Sequence, residues 1–562
     1  MTCALMRSIK KLGEILLENG YITEDQLEKA IDLQDVRDEK IGEILVDEGF
    51  LKEEDLVEVL EFQKGIPSAN LDHYFFDTEL AEYIPENIAR RHLAVAIEKV
   101  DDEVLKVAMS DPTDIVAIDD IERVSGLIVR PVIAAASKIK EATNWIYADD
   151  SLDISDFLED FEDYNEQDEN YGEAELLEMG EEAPIIRLAN SIISRAYQRG
   201  ASDIHIEPED KYIRVRYRID GVLQKEMTAP KSSHRALVSR FKIIADLDIT
   251  EHRVPQDGKI RMLINGNQLD MRVSTLPTVH GEKVVIRLLA QDTNLLNIEK
   301  LGFSEDNIEK FEHLINKPHG IMLLTGPTGS GKSTTLFAGL NRINSPKINI
   351  VTIEDPVEYN IEGIYQVQAK PKTGLTFAKT LRSILRQDPD VIMIGEMRDE
   401  ETAEIGVRAA LTGHLVFSTL HTNDAISSVT RLVDMGLPPY LVASSVNGIV
   451  AQRLVRRLCK SCKEERQINE LDRKYLGETD FDTAYYAVGC QKCNNTGYSG
   501  RLALQEIFMV DNEMKEMISN EATEEQMEKA AREKGMRSLK EDGIEKIRQG
   551  ATDIAELKRI IF

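Results

Sequence analysis

The chain has 562 residues, which is too long for a single hydrophobic core, so we expect several domains. Its hydrophobic content of 42% is normal for a soluble globular protein, and no apolar run is long enough to cross a bilayer. The formal net charge of −32 counts against nucleic acid as a partner, because a strongly acidic protein repels phosphate backbones.

The chain opens with an internal repeat of 24 residues, from Lys11 to Gln34 and again from Lys40 to Gln63. In each unit a glycine separates two stretches with helical periodicity, so we predict two helix–glycine–helix units over 1–64. Leu27 and Ile31 are predicted to lie on the inner face of the first unit. The positions that define the pattern are Lys11, Leu12, Gly13, Leu16, Gln34, Lys40, Gly42, Leu45 and Gln63.

Two segments of α/β character follow, separated by an acidic stretch. Residues 65–148 alternate short β-like runs with helical ones and are predicted to complete an N-terminal domain over 1–148. Residues 149–182 hold 16 acidic residues and no Lys or Arg, which predicts a flexible linker. Alternating strands and turn signals over 183–295 predict a second, mixed α/β domain.

Residues 326–333 form a complete phosphate-binding loop of the P-loop type. An apolar run precedes the loop and a helical segment follows it, which is the context that a real P-loop requires. Lys332 would reach the β- and γ-phosphates of a nucleotide, and Ser333 would hold Mg²⁺. We expect nucleotide contacts from Gly326, Pro327, Thr328, Gly329, Ser330, Gly331, Lys332, Ser333 and Thr334.

Acidic and imidazole side chains follow three later strand-like runs. Glu354, Asp355 and Glu358 come after one of them, where a carboxylate would orient the attacking water of hydrolysis. Glu396 ends a buried-type strand in the arrangement of a Walker B motif, and it would hold Mg²⁺. His421 would sense the γ-phosphate, and a purely structural histidine is the alternative.

Four of the five cysteines form the spacing C-x₂-C-x₂₇-C-x₂-C, within a segment at 456–500. The N-terminus lacks the apolar core of a secretory signal, so we expect a cytoplasmic protein in which paired thiols bind metal. Four thiolates complete a tetrahedral zinc site without an open position, which indicates a structural role. Redox use of one pair is the competing interpretation. The ligands would be Cys459, Cys462, Cys490 and Cys493.

The order of these segments resembles the secretion ATPase superfamily, and within it the GspE/PilB branch of type II secretion and type IV pilus assembly motors. The resemblance covers nearly the whole chain. It rests on the Walker A loop at 326–333, an Asp box at 352–358, a Walker B segment at 388–399, a His box at 412–422 and the segment 200–208.

The resemblance implies a multidomain α/β fold. It places a RecA-like P-loop domain with a mostly parallel sheet at 300–562, which includes the zinc-binding insert and C-terminal helices. A mixed α/β, PAS-like domain at 183–295 would precede it, after a helical and α+β N-terminal domain. By the same resemblance Glu358 is the catalytic glutamate, with Glu354 and Asp355 assisting near Mg²⁺.

The resemblance also implies arginine fingers and an assembly. Arg272 and Arg287 would reach the γ-phosphate when domains close, and surface arginines paired with carboxylates are the alternative. Members of the family use ATP with Mg²⁺ and form homohexamers on the inner face of the cytoplasmic membrane. Their partner is an inner-membrane platform protein, so membrane association would be peripheral and through partners.

The N-terminal repeat resembles the cyclic di-GMP-binding MshE-type domain. In that family the first residue of each repeat is typically Arg, whereas this chain has Lys11 and Lys40 at these positions. Lysine does not reproduce a planar guanidinium contact, so a helical docking domain whose leucines simply pack is the alternative.

For the whole protein the repeat favours a pilus motor, and a type II secretion motor is the nearest rival. A nucleic-acid translocase and a nucleotide-switched scaffold that does not hydrolyse are rivals from other classes. DNA-stimulated hydrolysis would favour the first of these, and absence of steady turnover would favour the second.

Overall fold

The computed structural model describes residues 11–34, 37, 40–71, 78–147, 183–264, 267–289, 297–358, 360–477 and 479–561. The predicted linker at 149–182 lies outside the described residues. The chain forms two compact units, Met1–Ala290 and Gln291–Phe562. The finer domain boundaries stay predictions.

The repeat folds as two pairs of short helices. Gly20 has φ +76°, a left-handed conformation that lets the chain reverse between the helices of the first pair. A Cβ on Gly13 would lie 2.7 Å from the Leu27 side chain, and one on Gly42 would lie 3.0 Å from Leu56, so these glycines permit close helix packing. The helices are α1 (Leu12–Glu18), α2 (Glu24–Gln34), α3 (Ile41–Asp47) and α4 (Glu53–Lys64).

One predicted core position in the repeat is wrong. Ile31 is 45% exposed, whereas the neighbouring Ala30 is fully buried. The side chains of α2 in the core of the repeat are Leu27, Ala30 and Leu33, so the apolar face has a spacing of three residues and Ile31 lies outside it.

A three-stranded sheet follows the repeat, in the order β1-β2-β3. The strands β1 and β2 are antiparallel, and β2 and β3 are parallel. Asp114 accepts hydrogen bonds from the N–H groups of Val116 and Ala117 and so fixes the start of the helix between β2 and β3. The elements are α5 (Glu86–His92), β1 (Ala94–Lys99), β2 (Val104–Met109), α6 (Ile115–Ser125), β3 (Ile128–Ile133) and α7 (Ala136–Ile146).

A six-stranded antiparallel sheet, ordered β6-β5-β4-β9-β8-β7, forms the remainder of the first unit. In β5 the residues Ile213, Val215 and Tyr217 are buried while the alternate positions are partly exposed, as expected for a sheet with one covered face. Two helices, α8 and α9, contribute to its core. The elements are α8 (Ala183–Gln198), β4 (Ala201–Pro208), β5 (Tyr212–Ile219), β6 (Val222–Pro230), α9 (His234–Ile244), β7 (Gln256–Ile264), β8 (Asn267–Thr278) and β9 (Gly281–Leu289).

The second unit is built on a seven-stranded sheet ordered β12-β11-β13-β14-β10-β15-β18. All neighbouring pairs are parallel except β15 and β18. The strands β10, β11, β13 and β14 are buried along their whole length and are mostly apolar, as expected for the interior of a parallel sheet. This architecture confirms the predicted α/β fold with a mostly parallel sheet. Its strands are β10 (Gly320–Thr325), β11 (Ile350–Glu354), β12 (Ile364–Gln368), β13 (Val391–Ile394), β14 (Leu415–Leu420), β15 (Val446–Leu458) and β18 (Tyr498–Met509).

Helices cover the sheet of the second unit. In the chain segment that connects β15 to β18, β16 (Glu464–Gln467) and β17 (Thr483–Tyr486) form a separate two-stranded antiparallel sheet. Among the described residues, no helix has both the length and the apolar character that a membrane crossing needs. The helices are α10 (Glu305–Ile315), α11 (Lys332–Ile343), α12 (Phe377–Ile384), α13 (Glu400–Leu411), α14 (Ser427–Asp434), α15 (Pro439–Ser445), α16 (Glu470–Leu476), α17 (Asn512–Ser519), α18 (Glu524–Glu533), α19 (Leu539–Arg548) and α20 (Ile554–Ile560).

Candidate functional site

The P-loop joins β10 to α11, and its glycines set its shape. Gly326, Gly329 and Gly331 have φ values of +149°, +80° and +85°, which residues with side chains rarely adopt. A Cβ on Gly326 would lie 2.5 Å from the carbonyl oxygen of Gln452. The three glycines therefore let the loop backbone form a cradle at the amino end of a helix, where backbone N–H groups and the helix dipole favour an anion.

Lys332 folds back over the start of this loop. Its ammonium group donates hydrogen bonds to the carbonyl oxygens of Gly326, at 2.7 Å, and Pro327, at 3.1 Å. Burial lowers the pKa of Lys332 to about 8, although nearby Glu396 acts in the opposite direction. A phosphate oxygen is a stronger acceptor for this ammonium group than a neutral carbonyl oxygen, so the site fits a polyphosphate.

The serines of the loop differ in their surroundings. Ser333, the predicted Mg²⁺ ligand, is exposed at the start of α11. The hydroxyl group of Ser330 is buried and has no hydrogen-bond partner in the described part of the chain. A buried polar atom without a partner is costly, and a ligand in the loop is one way to satisfy it.

The acidic residues after β11 separate into a buried and an exposed group. Glu354 is buried and accepts hydrogen bonds from the Thr352 hydroxyl at 2.6 Å and the Gln366 amide at 2.9 Å. Burial raises the pKa of Glu354, and the charge of Glu358 raises it further. Asp355 and Glu358 are exposed. Glu358 is therefore better placed than Glu354 to contact water or substrate.

Glu396, Lys332 and His421 lie in one neighbourhood. Arg398 contacts the Glu396 carboxylate at 2.5 Å, and His421 Nε2 lies 3.7 Å from its second oxygen. Burial and then the charge of Lys332 lower the pKa of His421. The structure thus brings together three residues that the sequence predicted separately, and it favours a neutral imidazole at pH 7.

By contrast, His414 bonds to the carbonyl oxygen of Ala409 at 2.9 Å, which is a structural role.

Several residues beside the loop were missed by sequence analysis. The Thr325 hydroxyl, at the end of β10, accepts the backbone N–H of Thr422 at 2.9 Å and lies 2.6 Å from the Thr422 hydroxyl. Arg453 donates to the carbonyl oxygen of Asn423 at 2.7 Å. Gln452 is 1% exposed although it is polar. Gln452, which follows the apolar residues Ile449, Val450 and Ala451 of β15, was the one sequence signal for these contacts.

Arg272 and Arg287 lie opposite each other on β8 and β9. Together with Lys259 they line an open cavity of about 390 Å³. Arg287 donates to Asp203 at 2.9 Å, yet its side chain is 60% exposed. A guanidinium group has five N–H donors, so this ion pair leaves donors of Arg287 for a further acceptor.

The four cysteines of the insert form a compact cluster. Their sulfur atoms all lie within 4.8 Å of one another, with three of the separations between 3.7 and 3.9 Å. Tetrahedral zinc with Zn–S bonds of about 2.3 Å separates its sulfurs by about 3.8 Å, whereas a disulfide needs about 2.0 Å. The backbone N–H groups of Cys490 and Gly497 point at Cys493 Sγ from 3.2 and 3.3 Å, as suits a thiolate. The cluster fits a structural zinc ion.

The predicted cyclic di-GMP residues divide by exposure. Lys40 forms an ion pair with Asp111. Partial burial raises the pKa of Asp111, but the hydrogen bonds from Lys40 and Thr113 outweigh burial and lower this pKa to about 2. The buried members of the pattern are explained by helix packing, and they are Gly13, Leu16, Gly42 and Leu45. The other members are exposed or partly exposed, and they are Lys11, Leu12, Gln34, Lys40 and Gln63.

Comparisons with known proteins agree with these features. Residues 178–559 match the family described as Type II/IV secretion system protein, and 65–151 match the MshEN domain, so the latter match begins after the repeat. The X-ray structure of the Legionella pneumophila ATPase DotB matches with a TM-score of 0.50, over 66% of this chain and 95% of that chain. At 21% identity this likeness shows the fold alone.

Two curated relatives align along most of the chain. The type IV pilus assembly ATPase PilB of Myxococcus xanthus is 43% identical over 520 residues, which cover 90% of this chain and 91% of that protein. The type II secretion system ATPase E of Vibrio cholerae is 44% identical over 456 residues, which cover 80% of this chain and 90% of that protein. The chain therefore belongs to the Type II/IV secretion system protein family, in the branch that its motifs indicated, and it is an ATP hydrolase.

Proposed function

We propose that this protein is a homohexameric ATPase on the cytoplasmic face of the inner membrane that drives type IV pilus assembly. The supporting observation is that similarity to the pilus assembly ATPase extends over 90% of the chain, against 80% for the type II secretion ATPase. The two identities are nearly equal, so a type II secretion motor is the second candidate. The work of hydrolysis would be delivered to an inner-membrane platform protein, through which the motor associates with the membrane.

In the proposed reaction, the P-loop and Lys332 bind the phosphates of ATP. Ser333 and Glu396 would hold Mg²⁺, which would offset the charge of the phosphates, and Glu358 would orient the attacking water. Arg272 and Arg287 stabilise the negative charge that develops on the phosphoryl oxygens.

The cellular role is tested by deleting the gene and complementing it with the wild type or with Lys332→Ala. We expect the deletion strain to lose surface pili while it still secretes type II substrates, and only the wild type to restore pili. A strain that keeps its pili but retains secreted enzymes in the periplasm would transfer the proposal to the type II system.

The assembly is tested by measuring particle mass with Mg²⁺ and a non-hydrolysable ATP analogue. We expect six copies per particle, because closed rings form from head-to-tail contacts. A monomer or dimer under all nucleotide conditions would contradict the hexamer. We also expect no stimulation of hydrolysis by DNA, given the net charge of −32.

We also propose that cyclic di-GMP regulates this motor through its N-terminal region. The repeated pattern and the match of 65–151 to the MshEN domain support this proposal. We expect labelled cyclic di-GMP to bind the full-length protein at micromolar concentration and to bind more weakly after joint replacement of Lys11 and Lys40 by Ala. Lys52→Ala, a lysine at the start of α4 outside the pattern, is the matched control. Absence of binding would leave the repeat as a helical docking domain.

A further inference from the structure

Strand β15 runs beside the P-loop. The parallel pairing of β10 with β15 ends where Thr325 faces Ala451. Thr325 is the last residue of β10 and is followed by Gly326, which begins the loop. In β15, Ala451 is followed by Gln452. Gln452 is therefore the residue of β15 that faces the loop, and it is almost completely buried.

The carboxamide of Gln452 bonds both to the loop and to the helix that follows it. Its Nε2 donates to the carbonyl oxygen of Ser330 at 2.7 Å, and its Oε1 accepts from the Thr335 hydroxyl in α11 at 2.9 Å. A Cβ built on Gly331 would lie 2.9 Å from Gln452 Nε2, and one on Gly326 would lie 2.5 Å from its carbonyl oxygen. Gly326 thus permits the loop to approach the backbone of Gln452 closely, and Gly331 permits it to approach the side chain.

These bonds orient one peptide group of the loop. In a trans peptide the carbonyl oxygen of Ser330 and the N–H of Gly331 point in opposite directions. Because Gln452 holds that oxygen on the side of β15, the N–H of Gly331 points away from β15. A P-loop binds phosphate through N–H groups that turn into the loop in this way.

We propose that Gln452 is a positioning residue of the nucleotide site, which fixes the orientation of the Ser330–Gly331 peptide without touching the nucleotide. The inference rests on the assignment of the loop as the ATP site. It gives a reason for a glutamine that is 1% exposed within β15, because a buried amide is costly unless its groups are bonded.

The test compares two variants that each remove one of the two carboxamide bonds. Gln452→Glu keeps an acceptor for Thr335 but has no donor for Ser330, whereas Thr335→Val keeps the donor and removes the other bond. The dissociation constant of a fluorescent ADP with Mg²⁺ is measured on the full-length protein. We expect roughly tenfold weaker binding for Gln452→Glu and less than about threefold for Thr335→Val.

Wild-type affinity in Gln452→Glu, or equal losses in both variants that track their melting temperatures, would overturn the positioning role. Gln452→Met, which is neutral and of similar size but removes both bonds, takes the place of Gln452→Glu if the buried carboxylate prevents folding; its loss beyond that of Thr335→Val then measures the bond to Ser330. Lys332→Ala distinguishes a wrong site assignment from a wrong role for Gln452, since it removes a proposed phosphate contact and leaves Gln452 in place. Undiminished nucleotide binding by Lys332→Ala would overturn the site assignment itself, and with it this inference.

Discussion

The ammonium nitrogen of Lys332 lies 2.7 Å from the carbonyl oxygen of Gly326, six residues earlier in the same loop. Burial lowers the pKa of this lysine to about 8, so it is mostly protonated at pH 7 and mostly neutral at pH 9.

We predict that affinity for MgADP falls as the pH rises above about 8. The nucleotide phosphates bind the protonated form of Lys332. Above about pH 8 the lysine must therefore take up a proton when the nucleotide binds, which lowers the affinity by up to about tenfold per pH unit. Binding titrations at pH 7 and pH 9 measure the effect. Lys332→Arg, which stays charged across this range, should bind with an affinity that does not change with pH. A wild-type affinity equal at both pH values would contradict the low pKa.

Replacing Glu358 by Gln should abolish turnover while nucleotide still binds. The side chain is exposed, so folding should be unaffected, and loss of a catalytic carboxylate lowers rates by about 10² to 10⁴. Phosphate release at saturating MgATP gives the rate, and ADP binding gives the control measurement. Glu362→Gln, an exposed glutamate four residues later, should hydrolyse like the wild type. Normal turnover in Glu358→Gln would remove this residue from the mechanism.

The two histidines of the His box should separate function from structure. His421 lies 3.7 Å from Glu396, so we expect His421→Ala to reduce turnover more than tenfold with little change in melting temperature. His414 bonds to the backbone at Ala409, so His414→Ala should lower the melting temperature and retain turnover in the folded protein. Matching rates in the two variants would show that the His421 imidazole has no special role.

Arg287 can be compared with an arginine of the same sheet in a similar ion pair. Arg287 contacts Asp203 at 2.9 Å, and Arg216 contacts Glu207 at 2.8 and 2.9 Å. We expect Arg287→Ala to lower the rate of phosphate release by about 10³ or more, as for an arginine finger, and Arg216→Ala to have a much smaller effect. Equal losses would indicate that both arginines only hold the sheet together.

The purified protein should contain one zinc ion per chain. Elemental analysis should find none in Cys459→Ser and a full complement in Cys3→Ser, the cysteine outside the two pairs. Loss of zinc should also increase hydrogen exchange in β16 and β17, because a structural metal would contribute much of the order of so small an insert. Zinc-free protein with unchanged exchange protection would contradict a structural metal.

The sequence predicted those parts of the site whose residues are close together in the chain. The P-loop, the acidic residues after β11, Glu396 and the cysteine pairs each occupy a short segment whose spacing follows from its chemistry. The contact between Ser330 and Gln452 joins positions 122 residues apart, and no local spacing encodes it. Ile31 was misplaced because helical periodicity over one short helix tolerates either of two neighbouring positions as the buried one.

Strand β15 contacts the phosphate-binding loop through Gln452 and is followed directly by Cys459 of the thiol cluster. Seven residues of extended chain cover roughly 20 Å. Over this distance the strand is hydrogen-bonded to β18, whose amino end adjoins the second cysteine pair. A lengthwise shift at the nucleotide end must therefore either move the cysteine cluster as well or break this ladder, so the pair of strands can act as a stiff rod between the loop and the cluster.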